Sequence, residues 1–303
     1  MQPLCISSII NSDTGNDGDS ATHCLVIATN GVTFVTEPTI ATLSQNYEPA
    51  AMLDSFAYTN ALLWLTANRQ QPIVHFWQLQ PTVILGLLDQ RLPQLPAGLA
   101  YLRQAGYQVM LRNSGGLAVV ADPGVLNVSL LLPAERDRYS ITEAYQLMVD
   151  YVRAVWPTLK IDTGEITQSY CPGDYDLSIA GRKIAGMSQR RTADALVIML
   201  YVSINGNQTA RSQLIQQFYQ LSLAGKSDSR FPTVDPNVMT TVAEQLDPTY
   251  TVKQAQAQFV HVLAQDGTVD STNLPLVTEE PEFQAHLSQA YRQMQRRQQR
   301  LHH

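Results

Sequence analysis

The sequence predicts an α+β fold: a mixed or antiparallel β-sheet with helices packed around it. Three observations lead there. Short runs rich in β-branched and aliphatic residues fall into two clusters, within 73–132 and 175–204. Segments with apolar residues at helical spacing lie before, between and after those clusters. Strands grouped in this way, rather than alternating strictly with helices, argue against a wholly parallel sheet.

The elements follow in chain order. Residues 11–22, NSDTGNDGDSAT, are polar and turn-rich and read as loop or disordered. A helix is expected from Pro49, a residue suited to a first helical position, with Met52, Leu53, Phe56 and Leu63 on one face. Strands are expected at 73–77, 82–87, 107–112, 117–121 and 125–132, punctuated by glycine and proline. Ser140 and Glu143 have capping-box spacing ahead of a helix carrying Tyr145, Met148, Val152 and Val155. Runs at 175–179 and 182–189 flank an Ala180-Gly181 turn, and 195–204 follows a turn at 192–194, which makes a three-stranded meander. Helices close the chain: one with Leu214, Phe218 and Leu221, one opening at Asp235-Pro236, and one with Phe283, Leu287 and Met294. The basic end, YRQMQRRQQRLHH, reads as a solvated helix terminus whose charge suits the helix dipole.

Composition narrows the function. Apolar residues make up 45% of the 303, enough for a substantial core. A net charge of -6 gives no bulk attraction to nucleic acid or to an anionic membrane, so neither is an expected partner. The opening MQPLCISSII has no basic region and runs into Asn11, Ser12 and Asp13, unlike a secretory signal. No apolar run approaches the ~20 residues that span a bilayer. Cys5, Cys24 and Cys171 are widely separated with no C-x-x-C pair, and the six histidines form no ligand cluster. No metal, cofactor or disulfide framework is expected, and a reducing cytoplasm suits such cysteine usage.

Three segments carry candidate chemistry. Arg112-Asn113-Ser114-Gly115-Gly116 lies between two expected strands. Adjacent glycines let backbone approach a ligand closely, and Arg112 suits a carbonyl, carboxylate or phosphate; a Gly-Gly hairpin with a surface arginine is the plainer reading. Cys171-Pro172-Gly173-Asp174 sets a cysteine in a polar turn, whereas most free cysteines are buried and inert. In Gly181-Arg182-Lys183-Ile184-Ala185-Gly186 a lysine sits within an otherwise largely apolar strand. Most lysines are solvated, yet one held near Cys171 favours its thiolate, the reactive form. No histidine stands beside Cys171, and no G-x-S-x-G elbow or P-loop is present.

Taken together and in this order, the segments resemble the lipoate-attachment branch of the biotin/lipoyl protein ligase family. Arg112 to Gly116 matches its Arg-x-x-Gly-Gly loop, Asp122 and Asn127 its following Asp and Asn, and Gly181 to Gly186 its G-x-K-I-A-G stretch. The likeness covers about residues 68–255. Cys171, twelve residues before Lys183, points to the cysteine acyltransferases rather than the ATP-dependent ligases, and CPGDYDLSIAGRKIAGMSQRR is similar to the octanoyl-[H protein]:protein N-octanoyltransferases. Leu117 replaces a glycine common in the ligases, and Ala121 replaces their usual histidine.

The resemblance implies a biotin/lipoyl protein ligase-like fold, with 1–45 an N-terminal extension, 46–255 the catalytic domain and 256–303 a helical segment packed on it. It implies Cys171 as nucleophile, with Lys183 lowering its pKa and positioning the acyl carbonyl. Arg112, Ser114, Gly115, Gly116, Asp122, Asn127, Gly186 and Ser188 are implied as substrate-binding residues. The implied donor is the octanoylated glycine cleavage H protein, and the acceptors are lipoyl domains of 2-oxoacid dehydrogenase E2 subunits. A donor on acyl carrier protein and an ATP-dependent ligase are the alternatives. An apolar tunnel for the acyl tail is expected, with Val83, Leu85 and Val119 as wall candidates, and Arg182, Arg190 and Arg191 form a candidate basic docking patch.

Overall fold

The computed structural model describes residues 39–134 and 138–301, together with a ladder of Ile27–Ala28 (β1) and Gly31–Val32 (β2). The loop expected at 11–22, Cys5, Cys24 and the terminal histidines lie outside the described residues. The first half then runs β3 (Thr39–Tyr47), α1 (Asp54–Arg69), β4 (Ile73–Leu79), β5 (Thr82–Leu85), α2 (Leu95–Gln104), β6 (Gln108–Leu111), β7 (Val119–Ala121), β8 (Val125–Pro133) and α3 (Ile141–Val155). The second half supplies β9 (Asp162–Thr163), β10 (Leu177–Ile179), β11 (Arg182–Arg191), β12 (Ala195–Ser203), α4 (Gln208–Leu223), α5 (Val242–Leu246), α6 (Val252–Leu263), β13 (Thr268–Asp270), α7 (Asn273–Thr278) and α8 (Pro281–Gln298).

An eight-stranded mixed sheet, ordered β13-β3-β4-β8-β12-β11-β10-β9, forms the centre, beside a three-stranded sheet ordered β6-β5-β7. Parallel pairing of β3 with β4 is possible because α1 makes the crossover between them. Strand β12 is buried at all nine positions because both faces of the sheet are covered. Ala195, Val197, Met199 and Tyr201 join one core cluster; Leu196, Ile198, Leu200 and Val202 join the other. Apolar residues of α3 and α6 complete the second cluster. Residues of α1, α2, α4, α8 and the small sheet complete the first.

Local chemistry explains the well-defined ends. The Ser140 hydroxyl accepts the Glu143 N–H at 3.1 Å while the Glu143 carboxylate accepts the Ser140 N–H at 2.7 Å, the expected capping box. Ala180 and Gly181 both have positive φ, 51° and 73°, which is the two-residue turn that closes β10 onto β11.

Three expectations need correction. The helix placed at Pro49 is a 3-10 turn, Pro49–Ala51, and α1 proper starts at Asp54. Asp235 caps only another 3-10 turn, Pro236–Val238; the next helix, α5, starts at Val242 behind the Thr241 cap. Helix α2 went unseen because Pro96 and Gly98 interrupt it in sequence. A Cβ on Gly98 would stand 2.0 Å from Ser222 Oγ and 2.8 Å from a Phe218 ring carbon, so packing against α4 requires a glycine there.

Candidate active site

The sheet itself builds one wall of the site. Gly186 of β11 pairs with Tyr201 of β12, Tyr201 with Asn127 of β8, and Asn127 with Trp77 of β4. Residues directly opposite in register point to the same face, so these four form a row. A second row runs Ser188, Met199, Ser129, His75. Above the first row, and Ser188 and Met199 of the second, lies a cavity of ≈ 750 Å³, within the range usual for a small-molecule site. Trp77, Met199 and Tyr201 meet Phe56 of α1 and Ile84 and Val119 of the small sheet across it. These six side chains give the cavity an apolar stretch, beside Asn127 and Ser188.

The Arg112–Gly116 segment and Cys171 face each other at its rim. Cys171 Sγ accepts the Leu117 N–H at 3.3 Å and lies 3.5 Å from Arg112 Nη2. Arg112 also donates to the Gly115 carbonyl at 2.6 Å, which folds the loop over its own side chain. Gly116, at φ +95°, has no room for a side chain: a Cβ would sit 2.1 Å from Arg112 Nη2 and 3.1 Å from Sγ. Here the glycine is needed both for its backbone conformation and for the close approach of the thiol.

Cys171 has φ +50°, the left-handed region, which costs a non-glycine residue roughly 1–2 kcal/mol. A buried ion pair holds it there. Lys183 is fully buried and donates to the Cys171 carbonyl at 2.8 Å, the Tyr170 carbonyl at 3.1 Å and Ser169 Oγ at 3.1 Å. Its ammonium is 2.8 Å from Asp176 Oδ1. The other Asp176 oxygen accepts N–H groups from Gly173 and Ile166, at 3.2 Å each, so one carboxylate fixes both sides of the cysteine turn. Burial pushes the Asp176 carboxyl upward, and the Lys183 charge pulls against it.

A second buried carboxyl supports the glycine loop. Asp89 accepts the Gly86 N–H at 2.8 Å and the Tyr219 hydroxyl at 2.8 Å, and Tyr219 in turn accepts the Ala118 N–H at 3.0 Å. Burial raises Asp89 to about 7, against the lowering effects of those two bonds and of Arg112.

Of the residues singled out in the sequence, Arg112, Ser114, Gly115, Gly116, Asn127, Cys171, Gly186 and Ser188 all line the cavity. Lys183 lies beneath it, under the cysteine turn. Asp122 is turned away and pairs with Arg211 at 2.6 and 2.7 Å. Of the tunnel candidates, Val119 lines the cavity while Val83 and Leu85 are buried in the core. Arg182 pairs with Glu244, Arg190 donates to Asn60 Oδ1, and Arg191 donates to the Tyr139 and Ser140 carbonyls. Sequence reasoning missed Phe56, Trp77, Met199 and Tyr201 as site residues. The signal for Tyr201 was its place opposite Gly186 in the meander, once register is counted.

Residues 51–264, well over half of the chain, match the family described as Lipoyl protein ligase A/B catalytic domain. The chain belongs to that family. Among its relatives, the Octanoyl-[GcvH]:protein N-octanoyltransferase of Anoxybacillus flavithermus is 42% identical over 200 residues, 65% of this chain and 73% of that one. The Lipoyl-[GcvH]:protein N-lipoyltransferase of Listeria monocytogenes is 42% identical over 196 residues, 63% and 70% of the two chains. The lipoate protein ligase structure from T. acidophilum with bound lipoic acid superposes with a TM-score of 0.63 at 16% identity, over 85% of this chain and 96% of that one. Lipoate-protein ligase A bound with ATP gives 0.63 at 18%, over 84% and 94%. At these identities the structures establish the fold, and it is the biotin/lipoyl protein ligase-like α+β fold that the motifs implied. Among the described residues of this lipoyl protein ligase A/B family member, no helix is long and apolar enough to cross a membrane.

Proposed function

We propose that the chain is a protein N-octanoyltransferase (amidotransferase) that moves an octanoyl or lipoyl group from the glycine cleavage H protein to lipoyl domains of 2-oxoacid dehydrogenase E2 subunits, through a thioester on Cys171. The observation that carries this is the thiol at the rim of a partly apolar cavity, met by a backbone N–H and a guanidinium. In the first step the Cys171 thiolate attacks the carbonyl carbon of the octanoyl-lysine amide. A C–S bond forms, the C=O π pair moves onto oxygen, and collapse breaks the C–N bond; the departing lysine nitrogen takes up, through solvent, the proton that the thiol lost on ionising and leaves as the amine. In the second step the acceptor lysine amine attacks the thioester, and the thiolate departs.

One amide is broken and one is made, so overall transfer needs no external energy source. The thioester lies uphill, and burial of the acyl tail helps to populate it: at ~0.8 kcal/mol per CH₂, an octanoyl chain contributes about 5 kcal/mol. Arg112 and the Leu117 N–H stabilise the charge that develops beside Sγ. Lys183 holds the cysteine turn by its carbonyls while placing a positive charge beneath it.

The test is turnover without ATP, offering octanoyl-H protein and octanoyl-acyl-carrier protein as separate donors and a lipoyl domain as acceptor. Preferential transfer from the H protein supports the reading. Dominant transfer from acyl carrier protein overturns the choice of donor. A strict requirement for free acid, ATP and magnesium replaces it with a ligase.

A further inference from the structure

We infer that Tyr201 is a catalytic residue whose hydroxyl donates a hydrogen bond to the acyl carbonyl oxygen and holds that oxygen as it becomes the oxyanion; the inference rests on the amidotransferase reading above. The Tyr201 hydroxyl is buried and has no hydrogen-bond partner among the described residues, while its side chain lines the cavity. Buried hydroxyls are nearly always partnered, so one carried by a side chain that lines a substrate cavity calls for a partner in the substrate.

The fold holds this phenol rigidly. Its ring stacks on Tyr170 at 6.2 Å between centroids, and the Lys183 ammonium lies 5.9 Å from its centroid. The same ammonium bonds the Cys171 carbonyl, so tyrosine and nucleophile are fixed to one buried anchor. Opposite stands Gly186, where a Cβ would come within 2.8 Å of a Tyr201 ring carbon. The glycine of the G-x-K-I-A-G stretch therefore makes room for the ring.

Chemistry selects the partner. An octanoyl-lysine amide carries one acceptor that a phenol can serve, its carbonyl oxygen; the remaining seven carbons of the acyl group are apolar. Burial pushes the phenol well above its ordinary range, so it remains a donor throughout the working pH and keeps its proton during the step. When the Cys171–carbon bond forms, the π pair moves onto the oxygen that this hydrogen bond already meets, and the bond strengthens as charge develops. Arg112 and Leu117 N–H act from the thiol side, and Tyr201 acts from the sheet.

The experiment compares wild type with Tyr201→Phe in the full chain. Three quantities are measured: the single-turnover rate of Cys171 acylation by octanoyl-H protein, the rate of iodoacetamide alkylation of Cys171, and the melting temperature. Because the hydroxyl has no partner among the described residues, melting and alkylation are expected to match wild type, while acylation falls on the order of 10²–10³-fold, the usual effect of losing one oxyanion donor. Acylation by the variant within about threefold of wild type, where a lost donor should cost at least ~100-fold, overturns the inference alone. Parallel losses in alkylation and acylation also overturn it, because the residue then only shapes the site. A wild-type chain that never acylates overturns the amidotransferase reading and this inference with it.

Discussion

Replacing Asp176 by alanine tests how the nucleophile is held in place. The substitution leaves the Lys183 ammonium, 0% exposed, without its carboxylate, and strips the acceptor from the Gly173 and Ile166 N–H groups. Breaking a buried pair by removing one member costs about 3–5 kcal/mol, and the orphaned N–H groups push toward the upper end. At about 2–4 °C per kcal/mol for a chain of this size, the melting temperature should fall by about 10–20 °C. Removing both charges, as Lys183→Met with Asp176→Leu, relieves the uncompensated ammonium and should recover part of the lost stability, although the Gly173 and Ile166 N–H groups still lack their acceptor. That double variant should nonetheless transfer octanoate at least ~100-fold more slowly, since nothing then secures the positive-φ conformation of Cys171. Thermal melts and initial rates on the three proteins decide it. A fall of under about 3 °C for Asp176→Ala, or a double variant less stable than the single, would refute the buried anchor.

Asp89 predicts a pH signature. Its folded value of about 7 exceeds the ordinary 3.8, so its contribution to stability is full below 3.8 and is lost as pH rises through 7. Over a gap of ~3 units the effect is on the order of 4 kcal/mol, and Asp89→Asn, neutral throughout, should flatten the decline in melting temperature between about pH 4 and pH 7. Parallel melting profiles for variant and wild type would remove Asp89 from that role. Gly116→Ala forces a Cβ against Arg112 Nη2 at a φ that favours glycine, and displacement of the loop by about 1 Å should slow acylation ~100-fold. Rates within about twofold of wild type would show that the loop absorbs the change.

How much of this was legible depended on the range of the physical cause. The capping box at Ser140 and Glu143 and the Ala180-Gly181 turn are set by neighbours in sequence, and both could be read directly. The family resemblance associates Cys171 with Lys183 through their twelve-residue spacing, and the β10–β11 hairpin is what brings them together. The cavity wall could not be read in the same way. Trp77, Asn127, Tyr201 and Gly186 meet only through register across four strands, and Tyr201 alone looks like ordinary strand core. Strand β3 escaped notice because TIATLSQNY is polar for a strand; it sits near the sheet edge, flanked by the three-residue β13. Asp122 came from a motif, yet its carboxylate is engaged by Arg211, whose guanidinium fits only because Gly124 and Gly206 lack side chains.

The central claim is a covalent acyl-enzyme on Cys171, and intact-protein mass spectrometry addresses it most directly. Wild type and Cys171→Ala are incubated with octanoyl-H protein in the absence of ATP, and each mass is read before and after hydroxylamine. An acyl-thioester on Cys171 gives wild type a gain of one octanoyl group, removed by hydroxylamine and absent from the variant. No gain from either the H protein or an acyl-carrier-protein donor, or an equal gain on Cys171→Ala, would contradict it.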